Sequence, residues 1–164
     1  MVSIFSGEEI SHLVTQVEKA GSGEQSQPAG YDVTISRVYS YSKAPHVIGI
    51  SKTPNSNLEE VIPQEDYFDL GVGAYLIDLN EVTTIPKDAI GILLPRSTLL
   101  RNGLDVRSAL FDPGYSGQPK VMLVCHRPAR IQRFSRVGQL ILFRSDSEFA
   151  KQYSGQYQGE RGAK

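Results

Sequence analysis

Apolar or alternating runs of five to seven residues, set apart by Gly, Pro, Asn and Asp, constrain this chain more than any other feature. They are YDVTI (31–35), HVIGIS (46–51), AYLIDL (74–79), AIGILLP (89–95), KVMLVCH (120–126) and QLILFR (139–144). Runs of this length between turn residues read as strands. Without helical periods between them they build a sandwich or barrel, not alternating βα units. The expected fold is therefore all-β. One helix is predicted at the start, over SGEEISHLVTQVEKAG (6–21): Ser6 and Glu9 fit a capping box, Ile10, Leu13, Val14 and Val17 share a face, and Gly21 suits the stop. Residues 51–69 read as an acidic loop or insertion, and the tail over 145–164 lacks core periodicity and reads as a mobile segment. There is no internal repeat, so residues 1–164 are expected to form a single domain.

Composition narrows the class. With 40% hydrophobic and 21% charged residues the chain is an ordinary globular one, and no apolar run approaches the roughly 18 residues of a membrane span. No signal peptide is recognisable, so no membrane partner and a cytoplasmic location are expected. Cys125 is the only cysteine, which excludes an intrachain disulfide and a cysteine-based zinc site. Lying in VMLVC, it reads as a buried structural thiol. The net charge of −1 hides an asymmetry. Residues 95–144 hold eight Arg and one Lys against Asp105 and Asp112, while the rest of the chain holds 8 basic and 16 acidic residues (17 − 9 and 18 − 2). The sharper of two explanations is a polyanion site; the other is a basic face balanced by acidic loops. Sustained polybasic runs with interleaved aromatics are missing, so a few phosphates fit better than nucleic acid.

Common chemistries can be set aside: there is no Walker-type loop, no HExxH and no nucleophile elbow. His12, His46 and His126 show no ligand spacing. PRSTLLRNG (95–103) is different. A strand ending in Arg96, Ser97 and Thr98 presents guanidinium donors, two hydroxyls and free backbone N–H groups, the donor set a phosphate chain needs. If a helix starts there its N-terminus adds to the anion site, with Arg101 about one turn later. In DPGYSG (112–117), Pro and Gly in sequence specify a type II turn. Asp112 there either bonds its own turn or is held at a rigid corner to activate a water, and Tyr115 either stacks on a sugar or packs.

Four stretches then occur in a telling order: PAGYDV (28–33), PRSTLLRNG (95–103), FDPGYSG (111–117) and RVGQLIL (136–142). They resemble the first four motifs of the trimeric dUTPase and dCTP deaminase superfamily. GQYQGERG (155–162) is similar to the tail motif of its deaminase-like branch. The resemblance spans nearly the whole chain and implies a β-clip, a distorted all-β barrel assembled as a homotrimer with sites between subunits. It assigns Asp32 to supporting metal-bound waters, with Mg2+ as cofactor. Arg96, Ser97, Thr98 and Arg101 fall to the phosphates, Asp112 to the attacking water, Tyr115 to the deoxyribose and Gln139 to the nucleotide. Tyr157 is placed to close over the site.

Deaminases of this superfamily use a glutamate on the strand after the turn as proton shuttle, and QPKVMLVCHR (118–127) contains no acid. Transfer of protons at a base ring needs a general acid/base within hydrogen-bond reach, whereas hydrolysis at the α-phosphorus needs a placed water, Mg2+ and cations. Hydrolysis of dUTP to dUMP and diphosphate is the expected activity. The alternatives are dCTP deamination, alone or combined with hydrolysis, and nucleotide binding without turnover. The tail departs from the pattern: Gln156 and Glu160 replace a lysine-containing arrangement, leaving Arg161 or Lys164 as compensating cations.

Overall fold

The structure, a computed structural model, describes residues 2–21, 23–50, 53 and 56–162. It is all-β, as expected. In chain order the strands are β1 Ser3–Ile4, β2 Val14–Gln16, β3 Ser26–Gln27, β4 Gly30–Tyr41, β5 Leu58–Glu60, β6 Tyr67–Leu70, β7 Gly73–Leu79 and β8 Glu81–Thr84. There follow β9 Ala89–Pro95, β10 Leu104–Arg107, β11 Ser116–Gly117, β12 Lys120–Cys125, β13 Ala129–Gln132 and β14 Arg136–Arg144. Two one-turn helices interrupt them, α1 Gly7–Ser11 and α2 Ser97–Arg101. The large sheet runs β1-β14-β4-β7-β12-β10, with β9 on β14 and with β3 and β5 on β4; smaller sheets pair β11-β8-β2 and β13-β6. No helix among the described residues is long and apolar enough to cross a membrane.

The curl of the large sheet comes from β4. Its first part pairs with β14 (Thr34↔Arg136 through Tyr31↔Leu140) and its second with β7 (Ile35↔Leu79 through Ser40↔Tyr75), with a register shift between Ile35 and Arg37. A bulge bends a strand and increases its twist, so one twelve-residue strand serves two differently oriented partners. Gly30 through Ser36 are all buried, and the period of two sorts them. Tyr31, Val33 and Ile35 join the apolar core, while Asp32, Thr34 and Ser36 face a buried polar seam. The core is completed by Ile77, Leu79, Val121, Leu123, Leu140 and Leu142, with Cys125 buried beside them as the sequence suggested.

Three expectations are corrected. The N-terminal helix is one turn. The Ser6–Glu9 capping box forms, but Val14–Gln16 pairs with Thr83–Glu81 as a strand, and Val17 is exposed. The β-branched residues Val14 and Thr15 pack well on a sheet and gain cross-strand partners that a free helix lacks. HVIGIS forms no strand over its described residues 46–50: Val47, Ile48 and Ile50 are exposed with no partner strand, and Ser51 lies outside the described residues. The acidic segment 51–69 instead contains β5 and the start of β6, paired with β4 and β13.

The tail over residues 145–162, read from sequence as mobile, is seated on the domain; Ala163 and Lys164 lie outside the described residues. Backbone N–H groups of Ser145, Phe149 and Tyr153 donate to the carbonyls of Asp88, Lys87 and Pro113, and that of Gly159 to Ser116.

Gly91 is where the fold meets the turn that follows it. It exchanges both backbone hydrogen bonds with Phe111 at 2.9 Å, and an added Cβ would lie 2.8 Å from Leu142 Cδ2 and 3.1 Å from Phe111 Cβ. Gly91→Ala is expected to destabilise the fold by ~1–3 kcal/mol through overpacking, read as a lowered urea midpoint with an unchanged slope.

Candidate active site

The residues singled out in the sequence fall into two groups. In the first, β4, β14 and β9 lie side by side, with Gln139 opposite Asp32 on one flank and Leu94 on the other. Directly opposed residues of an antiparallel pair share a face, so Asp32 and Gln139 look the same way. Gly30 makes room: an added Cβ would stand 2.8 Å from Gln139 Cγ and from the Leu140 carbonyl. That explains the glycine of PAGYDV by the glutamine of RVGQLIL. Asp32 Oδ2 lies 3.1 Å from Arg96 Nε and 3.3 Å from Arg136 Nη1, and the side chain of Asp32 is 4% exposed. Burial pushes the Asp32 carboxyl up, against the pull of Arg96 and Arg136. Arg96 follows β9 directly and is the N-cap of α2 without a side-chain cap bond. Ser97, Thr98 and Arg101 are exposed along α2, whose first N–H groups have no intrahelical acceptor. A five-residue helix carries only a small macrodipole, so the anion site expected there rests on side chains and local N–H groups.

The second group is the turn. Tyr115 N–H donates to the Asp112 carbonyl at 3.1 Å and Gly114 has φ 78°, as the Pro113–Gly114 pair demands. Two further backbone bonds, Ile85 N–H to Tyr115 and Gly114 N–H to Ile85, fix the corner to the strand end before β9. Asp112 and Tyr115 line a cavity of about 460 Å3 together with Leu110, Lys120, Tyr153, Tyr157 and Glu160. None of Asp32, Arg96, Ser97, Thr98, Arg101 or Gln139 lines it. β9 explains the separation: Phe111 bridges Gly91, five residues before Arg96, or roughly 16 Å along a strand.

Three residues that the motifs did not mark stand out. Arg136 opens RVGQLIL and grips Asp32; the pairing of that stretch with PAGYDV was its only signal. Tyr153 meets Tyr115 edge-on, ring centroids 5.6 Å apart, and leaves Tyr115 7% exposed. Glu160, in sequence an awkward carboxylate, enters the cavity because the tail is bonded to the turn. Gln158 accepts from Ser116 N–H and donates to the Gly114 carbonyl, and Gln118 N–H donates to the Glu160 carbonyl at 2.7 Å. Burial pushes the Glu160 carboxyl up. Tyr157 is 45% exposed on the cavity rim. Lys164, a candidate cation, lies outside the described residues.

The basic stretch is also resolved. Six of its eight arginines stand in ion pairs: Arg96 and Arg136 with Asp32, Arg107 with Asp105, Arg130 with Glu65 and Asp69, Arg133 with Glu18, and Arg144 with Glu9 and Asp88. Most of the asymmetry is thus balanced by acidic elements from elsewhere in the chain. No group of three or more His, Cys, Asp and Glu that could hold a metal ion occurs among the described residues. Asp32, which the resemblance assigns to metal-bound waters, is shared by two guanidiniums. The donors present therefore do not fit a metal held by this chain alone.

Behind Asp32 lies the polar seam. Glu81, 0% exposed, accepts from Thr34 N–H (2.9 Å), Thr34 Oγ1 (2.8 Å) and Gln25 Nε2 (2.7 Å). Gln25 in turn binds both peptide groups of Asp32, donating to its carbonyl and accepting its N–H.

The curled all-β fold is that of a β-clip protein, and the comparisons give its family. A dCTP deaminase-like family model matches residues 4–145, and the chain belongs to that family. Among its relatives, a probable deoxyuridine 5'-triphosphate nucleotidohydrolase of Aeropyrum pernix is 33% identical over 88% of this chain and 91% of its own. Another so named, of Archaeoglobus fulgidus, is 35% identical over 97% and 98%. Among solved structures, the 2'-deoxycytidine 5'-triphosphate deaminase of Agrobacterium tumefaciens superposes with a TM-score of 0.67 at 19% identity. That match covers 88% of this chain and 49% of the deaminase chain, about half its length. The EIAV dUTPase gives a TM-score of 0.50 at 14% identity. At these identities the two structures speak to fold alone.

The seam predicts a pH dependence. Burial pushes the Glu81 carboxyl up, against the hydrogen bonds from Thr34 and Gln25, so the folded state holds that proton more tightly than the unfolded chain. The contribution to stability is complete below the ordinary carboxylate range of about pH 4 and is lost as pH rises through the raised value. Asp32 and Glu160 act with the same sign. Urea titrations at stepped pH should show stability falling in that window, and Glu81→Gln should flatten part of the slope.

Proposed function

We propose that this chain is a dUTP diphosphatase that hydrolyses dUTP to dUMP and diphosphate. The observation that carries the proposal is the Asp112 carboxylate, held at a corner fixed by three backbone bonds and opening into a nucleoside-sized cavity. The relatives' names agree with it. Asp112 orients a water and takes its proton as the oxygen attacks the α-phosphorus; the bond from that phosphorus to the bridging oxygen breaks, and diphosphate leaves. Arg96, Arg101, Ser97 and Thr98 bind the phosphate oxygens by charge-assisted and hydroxyl hydrogen bonds, with Gln139 beside them. The Tyr115 ring supports the deoxyribose, braced by Phe111 and Tyr153, and Tyr157 covers the mouth. Mg2+, when bound with the triphosphate, would supply neutralisation of the charge developing on the phosphate oxygens.

The distance between half-sites supports a homotrimer in which the turn of one subunit faces the arginine cluster of the next. A monomer would leave Asp112 and Arg96 on opposite stretches of β9.

One observation favours a second activity, deamination of dCTP. Glu160 brings into the cavity a carboxylate that β12 lacks, with its proton held more tightly by burial. Hydrolysis is preferred because Glu160 comes from the tail and sits in the field of Lys120, a cation that opposes cytosine's amino group.

Asp112→Asn is expected to lower diphosphate release by ~10²–10⁴ while leaving binding of a non-hydrolysable dUTP analogue nearly unchanged; near-normal turnover removes Asp112 from the mechanism. Mixing inactive Asp112→Asn and Arg96→Ala proteins under subunit exchange should restore about a quarter of the sites, since one in four adjacent pairs combines an intact turn with an intact arginine. No recovery in mixed trimers means that each site is built within one chain.

A further inference from the structure

Lys120 is used by neither the phosphate-binding cluster nor the turn. It opens β12, half-buried on the cavity wall. Its ammonium donates to Asp78 Oδ1, while Asp78 Oδ2 accepts from the Tyr39 hydroxyl at 3.0 Å. Asp78 is 0% exposed, so the tether is anchored in the core. Lys120 Nζ also stands 5.2 Å from the centroid of the Tyr39 ring. Each oxygen of Asp78 accepts one of these bonds and the carboxylate is fully buried, so Lys120 is the member of the pair that lines the cavity. An ammonium has three N–H groups, and Asp78 is its only hydrogen-bond acceptor among the described residues. The neighbouring wall is apolar, with Leu58, Leu76 and Leu110. A few fixed polar groups in an apolar cavity are what set ligand orientation and specificity.

We propose that Lys120, tethered by Asp78, donates a hydrogen bond to the 4-oxo group of the pyrimidine and thereby selects uracil over cytosine. The inference rests on the cavity being the nucleoside site of the proposed hydrolase. Uracil places an acceptor at position 4; cytosine places an amino group there, whose N–H bonds would confront the ammonium. A charge-assisted hydrogen bond lost in this way corresponds to ~10–100-fold in affinity. Glu160 is the other acceptor near this point and lies in the field of both Lys120 and Asp78, so it is the rival reader of the base.

The test compares kcat/KM for diphosphate release from dUTP and dCTP, together with calorimetric binding of their α,β-imido analogues. Lys120→Met should reduce the dUTP preference at least ~10-fold, chiefly by weakening dUTP. Because that variant strands the buried Asp78, the double variant Lys120→Met/Asp78→Asn is measured beside it and should lose the preference equally. On the unaltered protein, 4-thio-dUTP, which keeps N3–H and offers a poorer acceptor at position 4, should be used several-fold less well than dUTP, and no less well than dUTP by the folded Lys120 variants. An unchanged dUTP:dCTP ratio in the variants, equal use of 4-thio-dUTP by the unaltered protein, or a ratio that follows Glu160→Gln instead overturns the proposal. If the protein binds the dUTP analogue selectively through Lys120 yet releases no diphosphate, the hydrolase reading fails and the base-reading role stands.

Discussion

The buried carboxylate of Glu81 is the interaction on which the arrangement of this molecule depends. β4 lies between two differently oriented sets of strands and is buried on both faces from Gly30 to Ser36, so the polar side chains on one face must find partners inside the protein. Glu81 supplies them, accepting three hydrogen bonds from Thr34 and Gln25. Taking an ionised carboxylate out of water costs several kcal/mol unless its lone pairs are satisfied. The seam therefore adds little net stability, but it admits one register. It also joins the small sheet β11-β8-β2 to β4, and with it the strand after the Asp112 turn to the strand that carries Asp32.

Electrostatics follow the same logic. Arg96 and Arg136 converge on Asp32, a carboxylate with almost no solvent. The pair of guanidiniums exceeds the single negative charge, so the cluster keeps a positive surplus for an anion. By contrast Arg107, Arg130 and Arg144 make exposed ion pairs worth at most about 1 kcal/mol each. The distinction lies in burial and partner, which a count of charges does not contain.

The tail supplies the third constraint. Gln158 and the Gly159 and Glu160 backbone groups tie it to Gly114, Ser116 and Gln118, and Tyr153 packs on Tyr115. The cavity is thereby walled partly by residues more than forty positions from the turn. Its chemical character, apolar with a tethered ammonium and two carboxylates, is a joint property of β12, the turn and the tail.

Local patterning in the sequence determined much of this. AIGILLP and AYLIDL became β9 and the body of β7 because apolar alternation and β-branched residues fit a pleated, half-buried surface. DPGY became a tight turn because proline fixes one φ and glycine allows the positive one, and STLLR became a helical turn after the strand. Four separated motifs, each short and chemically particular, were enough to indicate the family. Other features depended on contacts between distant segments. LVTQV left the helical path because Glu81–Thr84 offered it strand partners, and HVIGIS found none. Arg136 reached Asp32, and Glu160 reached the cavity, only through pairings across more than forty residues. The spacing of Asp112 from Arg96, set by five residues of extended β9, kept the two groups of residues apart. Sequence determines what each segment can do alone; tertiary structure decides which distant groups share a low-dielectric space, because burial and partner exist only once the strands have met.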